Sequence, residues 1–183
     1  MARSKKVFSF KDLIYIALFT AAICLVAPMF FEWQAAIPVT AATGIICLTA
    51  AVIGFKRSLI SVILYLLLGA LGLPVFANWA GGYMQFAGRT GGYLIGFLAL
   101  TAVTGLIVDR NPKNAYLYFV GMIAGVACCC FIGSMWLIIF GNFTFMEAIK
   151  SGFTPFITFE CVKIFLAGLI AYPLRAIVLK KLL

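Results

Sequence analysis

Six apolar runs, each closed by proline, glycine or a basic cluster, leave this chain few ways to fold. They run roughly Leu13–Phe30, Val39–Phe55, Ser58–Leu71, Gly91–Val108, Ala115–Phe140 and Pro155–Leu179. A spanning helix needs about 20 apolar residues, within about 17–25, so the third run is short for one. The runs are continuous and lack the period-two alternation of barrel strands, which makes α-helices the expected spanning element. Only 10% of the 183 residues are charged and 65% are hydrophobic, whereas a soluble domain carries about 25% charge. The expected fold is an all-α integral membrane protein, with six transmembrane helices in one bundle forming a single domain over residues 1–183. No polar stretch is long enough for an attached soluble domain. Breaks fall at Pro28, Pro38, Pro74, Pro112, Gly141 and Gly152.

The net charge of +9 does not point to nucleic acid, because the basic residues sit in short clusters between apolar runs. They read as topology signals. With the N-terminus in the cytoplasm, the inner regions hold Arg3, Lys5, Lys6, Lys11, Lys56, Arg57, Arg110, Lys113, Arg175, Lys180 and Lys181. The outer loops hold Arg89 and Lys150, and Lys163 falls within the sixth run. Both termini are therefore expected to be cytoplasmic. Residues 1–11 form a basic cytoplasmic N-terminus, and residues 72–90 form a glycine-rich extracellular loop. The first run is longer than a signal-peptide core, so an uncleaved first helix is expected.

Glu160 and Lys163 are the sharpest candidates for chemistry. A charge at the bilayer centre costs about 2.5–3.5 kcal/mol on insertion scales. Three residues apart, the two share one helical face and partly neutralise each other. They read either as a structural ion pair between helices or as a polar site open to the outer half of the bundle. The second reading is favoured, since packing alone requires no ionised groups there. A carboxylate accepts hydrogen bonds and an ammonium donates them. Arg89, beside Thr90 and Tyr93 in the glycine-rich loop, is placed to clamp a carboxylate or simply to be solvated. Asn78, Trp79 and Gln85 give that loop polar and aromatic groups suited to a lid. Thr40 and Thr43 stand one turn apart at the start of the second run and can face one cavity, or bond their own backbone. Ala17 and Ala21, in the segment ALFTA, form a small-xxx-small pair that admits a close helix.

Other chemistry is missing. The chain has no histidine, which removes the commonest general base and metal ligand. It has no GxxxxGK[ST] phosphate loop, no HExxH and no GxSxG, so an enzyme is not expected and ATP cannot be its own fuel. Six cysteines (Cys24, Cys47, Cys128, Cys129, Cys130 and Cys161) read as small apolar packing residues.

Several blocks resemble the BioY family, the substrate-binding (S) components of energy-coupling factor (ECF) transporters that take up biotin. Ile37–Thr43, IPVTAAT, resembles the family's VPITLQT. Tyr65–Ala77, YLLLGALGLPVFA, followed by Gly81-Gly82, matches its loop block. Gly88–Phe97, GRTGGYLIGF, is similar to GPTGGYLxGF, and Pro155–Lys163, PFITFECVK, to PFIPGDLxK. The blocks occur in order over most of the chain. The resemblance implies six helices with the vitamin held near the outer face under the loops. Glu160 then stands for the acidic residue that binds the ureido head, and Lys163 for the family lysine. Asn78 and Tyr93 fall in the matching loop blocks. Ala17 and Ala21 resemble the motif that docks on the transmembrane coupling subunit. The implied partners are that subunit and two ATP-binding subunits, which use ATP, with no cofactor in this chain. Ala42 replaces a glutamine, Arg89 a proline, and Phe159-Glu160 a Gly-Asp pair. A biotin analogue, another small carboxylated vitamin, or a stand-alone carrier of a small organic acid are the alternatives. The expected location is a prokaryotic plasma membrane.

Overall fold

The computed structural model describes residues 9–31, 39–140, 144 and 154–182. Arg3, Lys5, Lys6, Pro38, Gly141, Lys150 and Gly152 of the sequence reading lie outside them. The described chain is helical: α1 (Phe10–Val26), α2 (Ala42–Ile53), α3 (Phe55–Ala70), a four-residue α4 (Met84–Ala87), α5 (Gly91–Arg110), α6 (Ala115–Phe140) and α7 (Thr154–Leu182). One antiparallel pair of two-residue strands, β1 (Phe30–Phe31) and β2 (Val39–Thr40), joins the end of the first run to the start of the second. Among the described residues, three segments are long and apolar enough to cross a membrane: Gly91–Arg110, Ala115–Phe140 and Phe159–Val178. Large apolar side chains such as Phe131, Ile139 and Leu169 remain more than half exposed, as expected of helices whose outer surface faces lipid.

Several boundaries differ from the sequence reading: the first helix runs Phe10–Val26 rather than Leu13–Phe30, with Phe30 in β1, and the second ends at Ile53 rather than Phe55. Val39 and Thr40 belong to β2, so the second helix starts only at Ala42. The third begins at Phe55 rather than Ser58 and reaches 16 residues. The chain turns between α2 and α3 on Gly54, at φ +77°, where a Cβ would lie 2.8 Å from Asp109 Oδ1. Only glycine takes that backbone angle at little steric cost.

A polar clamp holds this junction. The N–H of Phe55 donates to Asp109 Oδ2 at 2.9 Å, and Arg175 donates to Asp109 Oδ1 at 2.5 Å and to the Ala51 carbonyl at 2.7 Å. A carboxylate thus meets a helix N-terminus and a guanidinium meets a helix C-terminus, each at its favoured pole. Nearby, Arg57 donates to Asp12 Oδ1 at 2.7 Å, and Asp12 accepts the Ser9 N–H at 2.9 Å. These bonds gather the start of α1, the α2–α3 junction, the end of α5 and the second half of α7 at one end of the bundle. The Arg175→Met variant is expected to lose roughly 2–3 kcal/mol of stability. A fully buried pair would lose about 3–5 kcal/mol, but the Asp109 side chain is 37% exposed and partly screened. Arg175→Lys restores only part of it, because an ammonium cannot fork to both acceptors. Thermal unfolding in detergent measures both, and an unchanged midpoint for Arg175→Met would remove the clamp from the account.

Helices α5 and α6 approach most closely, through glycines. A Cβ on Gly133 would lie 2.4 Å from the Tyr93 ring, one on Gly96 2.9 Å from Cys129 Sγ, and one on Gly125 2.4 Å from Thr104 Oγ1. Small residues at such an interface let backbones pack where lipid supplies no hydrophobic drive between helices.

At the other end of the bundle, the segment after α3 folds back. The Gly82 N–H donates to the Gly69 carbonyl at 2.7 Å, and Phe76 N–H to the Ala80 carbonyl at 2.9 Å. The Phe76 ring packs directly on Gly69, where a Cβ would be 2.1 Å away. It meets Tyr65 and Phe86 edge-on, at centroid distances of 5.6 and 5.8 Å. The glycine-rich stretch is thus a packed loop with an aromatic pin.

Candidate functional site

Beneath this loop lies a cavity of about 310 Å³, at the low end of the roughly 300–1,000 Å³ typical of small-molecule sites. Its walls are apolar and aromatic: Ala27, Tyr65, Phe76, Leu94 and Phe97. Thr40 lines it from β2, Thr43 from the first turn of α2, and Tyr93 from the first turn of α5. Asn78, Gln85 and Thr90 line it from the loop. Asn78 holds a left-handed backbone, φ +58°, and exposed Trp79 follows at +55°. A non-glycine residue at positive φ is uncommon, asparagine being one of the most tolerant. Two in succession persist only where surrounding structure imposes them.

Behind the threonines sits the ion pair. Thr43 Oγ1 donates to Glu160 Oε1 at 2.6 Å and accepts from Lys163 Nζ at 2.9 Å. Lys163 Nζ also donates to the Thr40 carbonyl at 2.9 Å and to Glu160 Oε1. The Lys163 stem packs beside Gly44, where a Cβ would stand at ordinary contact distance, 3.4 Å from Lys163 Cβ. The ammonium thus meets three acceptors, and Glu160 is 3% exposed. The second carboxylate oxygen, Oε2, is buried with no hydrogen-bond partner among the described residues. An unpaired acceptor in such a place is costly, and a donor entering past Thr43 would satisfy it.

The residues singled out from the sequence fall into four groups. Thr40, Thr43, Glu160 and Lys163 form one hydrogen-bonded cluster, although the last two stand behind the cavity lining. Asn78 and Tyr93 line the cavity with the two threonines. Arg89 is exposed and lies outside the lining. Ala17 and Ala21 are exposed together on α1, away from the cavity. The aromatic walls Tyr65, Phe76 and Phe97 were not singled out, because buried aromatics in a membrane chain look like ordinary core. No group of three or more potential metal ligands occurs among the described residues.

The apolar helices and the loop-covered cavity are those of an integral membrane protein built around a small-molecule-sized chamber. The chain belongs to the BioY family, whose profile matches residues 2–180. It is 36% identical to the biotin transporter BioY of Thermotoga maritima over 90% of this chain and 96% of that one. It is 32% identical to the biotin transporter BioY2 of Lactococcus lactis subsp. cremoris, covering 83% of each. The crystal structure of the S-component for biotin from an ECF-type ABC transporter superposes with a TM-score of 0.84 at 28% identity, over 96% of this chain and 95% of that one. The relatives are named as transporters, and this chain is a multi-pass membrane transport protein, not an enzyme.

Proposed function

We propose that this chain is the S component of an ECF transporter, capturing biotin at the outer face of a prokaryotic plasma membrane. The observation that carries the reading is the buried Thr43–Glu160–Lys163 cluster abutting an apolar cavity of small-molecule size. A ureido head supplies N–H donors for Glu160 and a carbonyl that takes over one of the three Lys163 N–H bonds in place of an internal acceptor. The aromatic walls suit the ring system. Asn78, Tyr93, Thr40 and Thr43 complete the contacts, with Arg89 at the loop surface where an anionic ligand arrives.

In this reading the bundle has six spans with both termini in the cytoplasm. Its support is that the clamp residues gather Lys56, Arg57, Arg110 and Arg175 at one end of the bundle, opposite Arg89, as the positive-inside rule requires. The exposed Ala17 and Ala21 form the docking face for a transmembrane coupling subunit. Two ATP-binding subunits supply the energy, and this chain holds no cofactor. A second reading, a biotin analogue or other small carboxylated vitamin, has one observation in its favour. Ala42, which stands where the family pattern carries glutamine, lines the cavity.

Uptake of labelled biotin by a transport-deficient host tests the assembly. Accumulation is expected when the chain is expressed with its coupling and ATPase subunits and absent with the chain alone. Equal accumulation by the chain alone in energised vesicles would make it a stand-alone carrier.

A further inference from the structure

Residues 71–88, between α3 and α5, carry no charge, and their large apolar side chains lie open. Leu71 is 83% exposed, and Trp79, Tyr83 and Met84 are 61%, 74% and 66% exposed. They continue a stripe on α3, where Leu64, Leu67 and Leu71 stand at helical spacing and are all exposed. The Gly82 bond to Gly69 and the seating of Gly81 on the Gly72 and Leu73 carbonyls set Tyr83 and Met84 beside the end of that helix. An apolar patch of this kind marks a contact with protein or membrane.

Helix length gives its depth. Lys56 and Arg57 mark the start of α3 at the basic end of the bundle. Its 16 residues span about 24 Å, about 6 Å less than a hydrocarbon core roughly 30 Å thick. Ala70 therefore ends within lipid, and the residues after it cross the boundary of the core. Backbone at that depth has to bond internally, and here it does. Leu73 N–H donates to the Leu68 carbonyl at 3.2 Å, Phe76 to Ala80 at 2.9 Å, Ala80 to Ala77 at 3.3 Å and Gly82 to Gly69 at 2.7 Å. Trp79 adds a second sign. Its φ of +55° is a genuine outlier for a bulky residue. Packing within the chain does not hold so exposed a ring there, so the compensating contact lies outside the chain.

We propose that this segment is a re-entrant loop seated in the outer-leaflet interface through Leu71, Trp79, Tyr83 and Met84, and that this lipid contact holds the loop over the cavity. Tryptophan and tyrosine favour that depth, where one end of the ring is apolar and the other wet. Asn78 lines the cavity while its neighbour Trp79 is exposed, so adjacent residues join the lipid seat to the chamber. Assignment to the outer leaflet rests on the orientation proposed above, whereas the seat itself holds in either leaflet.

Fluorescence of the full chain in phospholipid nanodiscs tests the seat. Subtracting the emission of Trp79→Phe from that of the unmodified chain isolates Trp79 from Trp33 and Trp136. Trp79→Tyr gives the same subtraction should the first variant misfold. Trp79 is expected to lose most of its emission to a phospholipid brominated on the upper part of its acyl chains. Quenching by aqueous iodide with none from the brominated lipid would put the loop in water and overturn the proposal. Quenching by neither would overturn it in favour of a protein contact, such as a second copy of this chain. Trp79→Asn keeps a residue that tolerates the left-handed backbone and removes the ring. Hydrogen exchange at the Phe76 and Gly82 amides should then be at least about tenfold faster in the same nanodiscs. Unchanged exchange would overturn the hold of lipid on the loop. Neither measurement uses a ligand, so failure here is separate from failure of the biotin reading.

Discussion

The Lys163→Ala variant should fold and yet lose most of its ligand affinity. Lys163 donates to the Thr40 carbonyl and to Thr43 Oγ1, both at 2.9 Å, and to Glu160. Its removal deletes the donor for a ligand carbonyl and frees Thr43 and Glu160 to rearrange. A hydrogen bond to a charged group contributes about 1.5–3 kcal/mol, so affinity should fall about 10- to 100-fold. Stability falls as well, because Glu160 is left buried without its counter-charge, a change that costs about 3–5 kcal/mol in typical buried pairs. The double variant Glu160→Gln/Lys163→Ala separates the two effects. It should recover much of the stability and none of the binding. Calorimetry and thermal unfolding on the three proteins provide the comparison, and unchanged affinity in Lys163→Ala would remove this residue from the site.

The second large effect concerns transport without binding. Ala17 and Ala21 are exposed on α1, flanked on the same helix by Leu13, Leu18 and Leu25 at 54%, 60% and 67% exposure. Within a membrane, helices associate through close packing, because lipid tails are as apolar as leucine. Replacing both alanines by phenylalanine keeps the face apolar, so folding and ligand binding should be unchanged. The rings hold a partner helix away, and uptake by the assembled transporter should fall to background. Co-purification of the coupling subunit reports the same loss directly. Normal uptake by Ala17→Phe/Ala21→Phe would place the docking surface on another helix.

How far the sequence carried the fold depended on the kind of interaction. Continuous apolar runs and basic clusters predicted the helical membrane chain, since burial in lipid acts on local composition. The pairing of Glu160 with Lys163 was legible because three-residue spacing on a helix is local geometry. Their bonds to Thr40 and Thr43 join positions more than a hundred residues apart, and only the shared polarity of isolated groups in apolar runs hinted at them. Val39 and Thr40 read as helix because two-residue strands have no periodicity to detect. The Gly54 turn and the Asp109–Arg175 clamp are not legible in the sequence for a related reason. Arg175 read as one more topology charge, and a contact across 66 positions leaves no trace in a single sequence. Arg89 shows the reverse. Its loop and chemistry suited a carboxylate clamp, but which way a loop side chain points is settled by packing, and here the residue is exposed outside the cavity lining.

The chamber lined by Thr43 binds biotin in this reading. Calorimetry of biotin on the purified, detergent-solubilised chain, with dethiobiotin and lipoate as competitors, tests it most directly. The account predicts tight, saturable binding of biotin that lipoate does not displace and that Lys163→Ala weakens. Folded protein that binds no biotin, or that binds lipoate equally well, would contradict it.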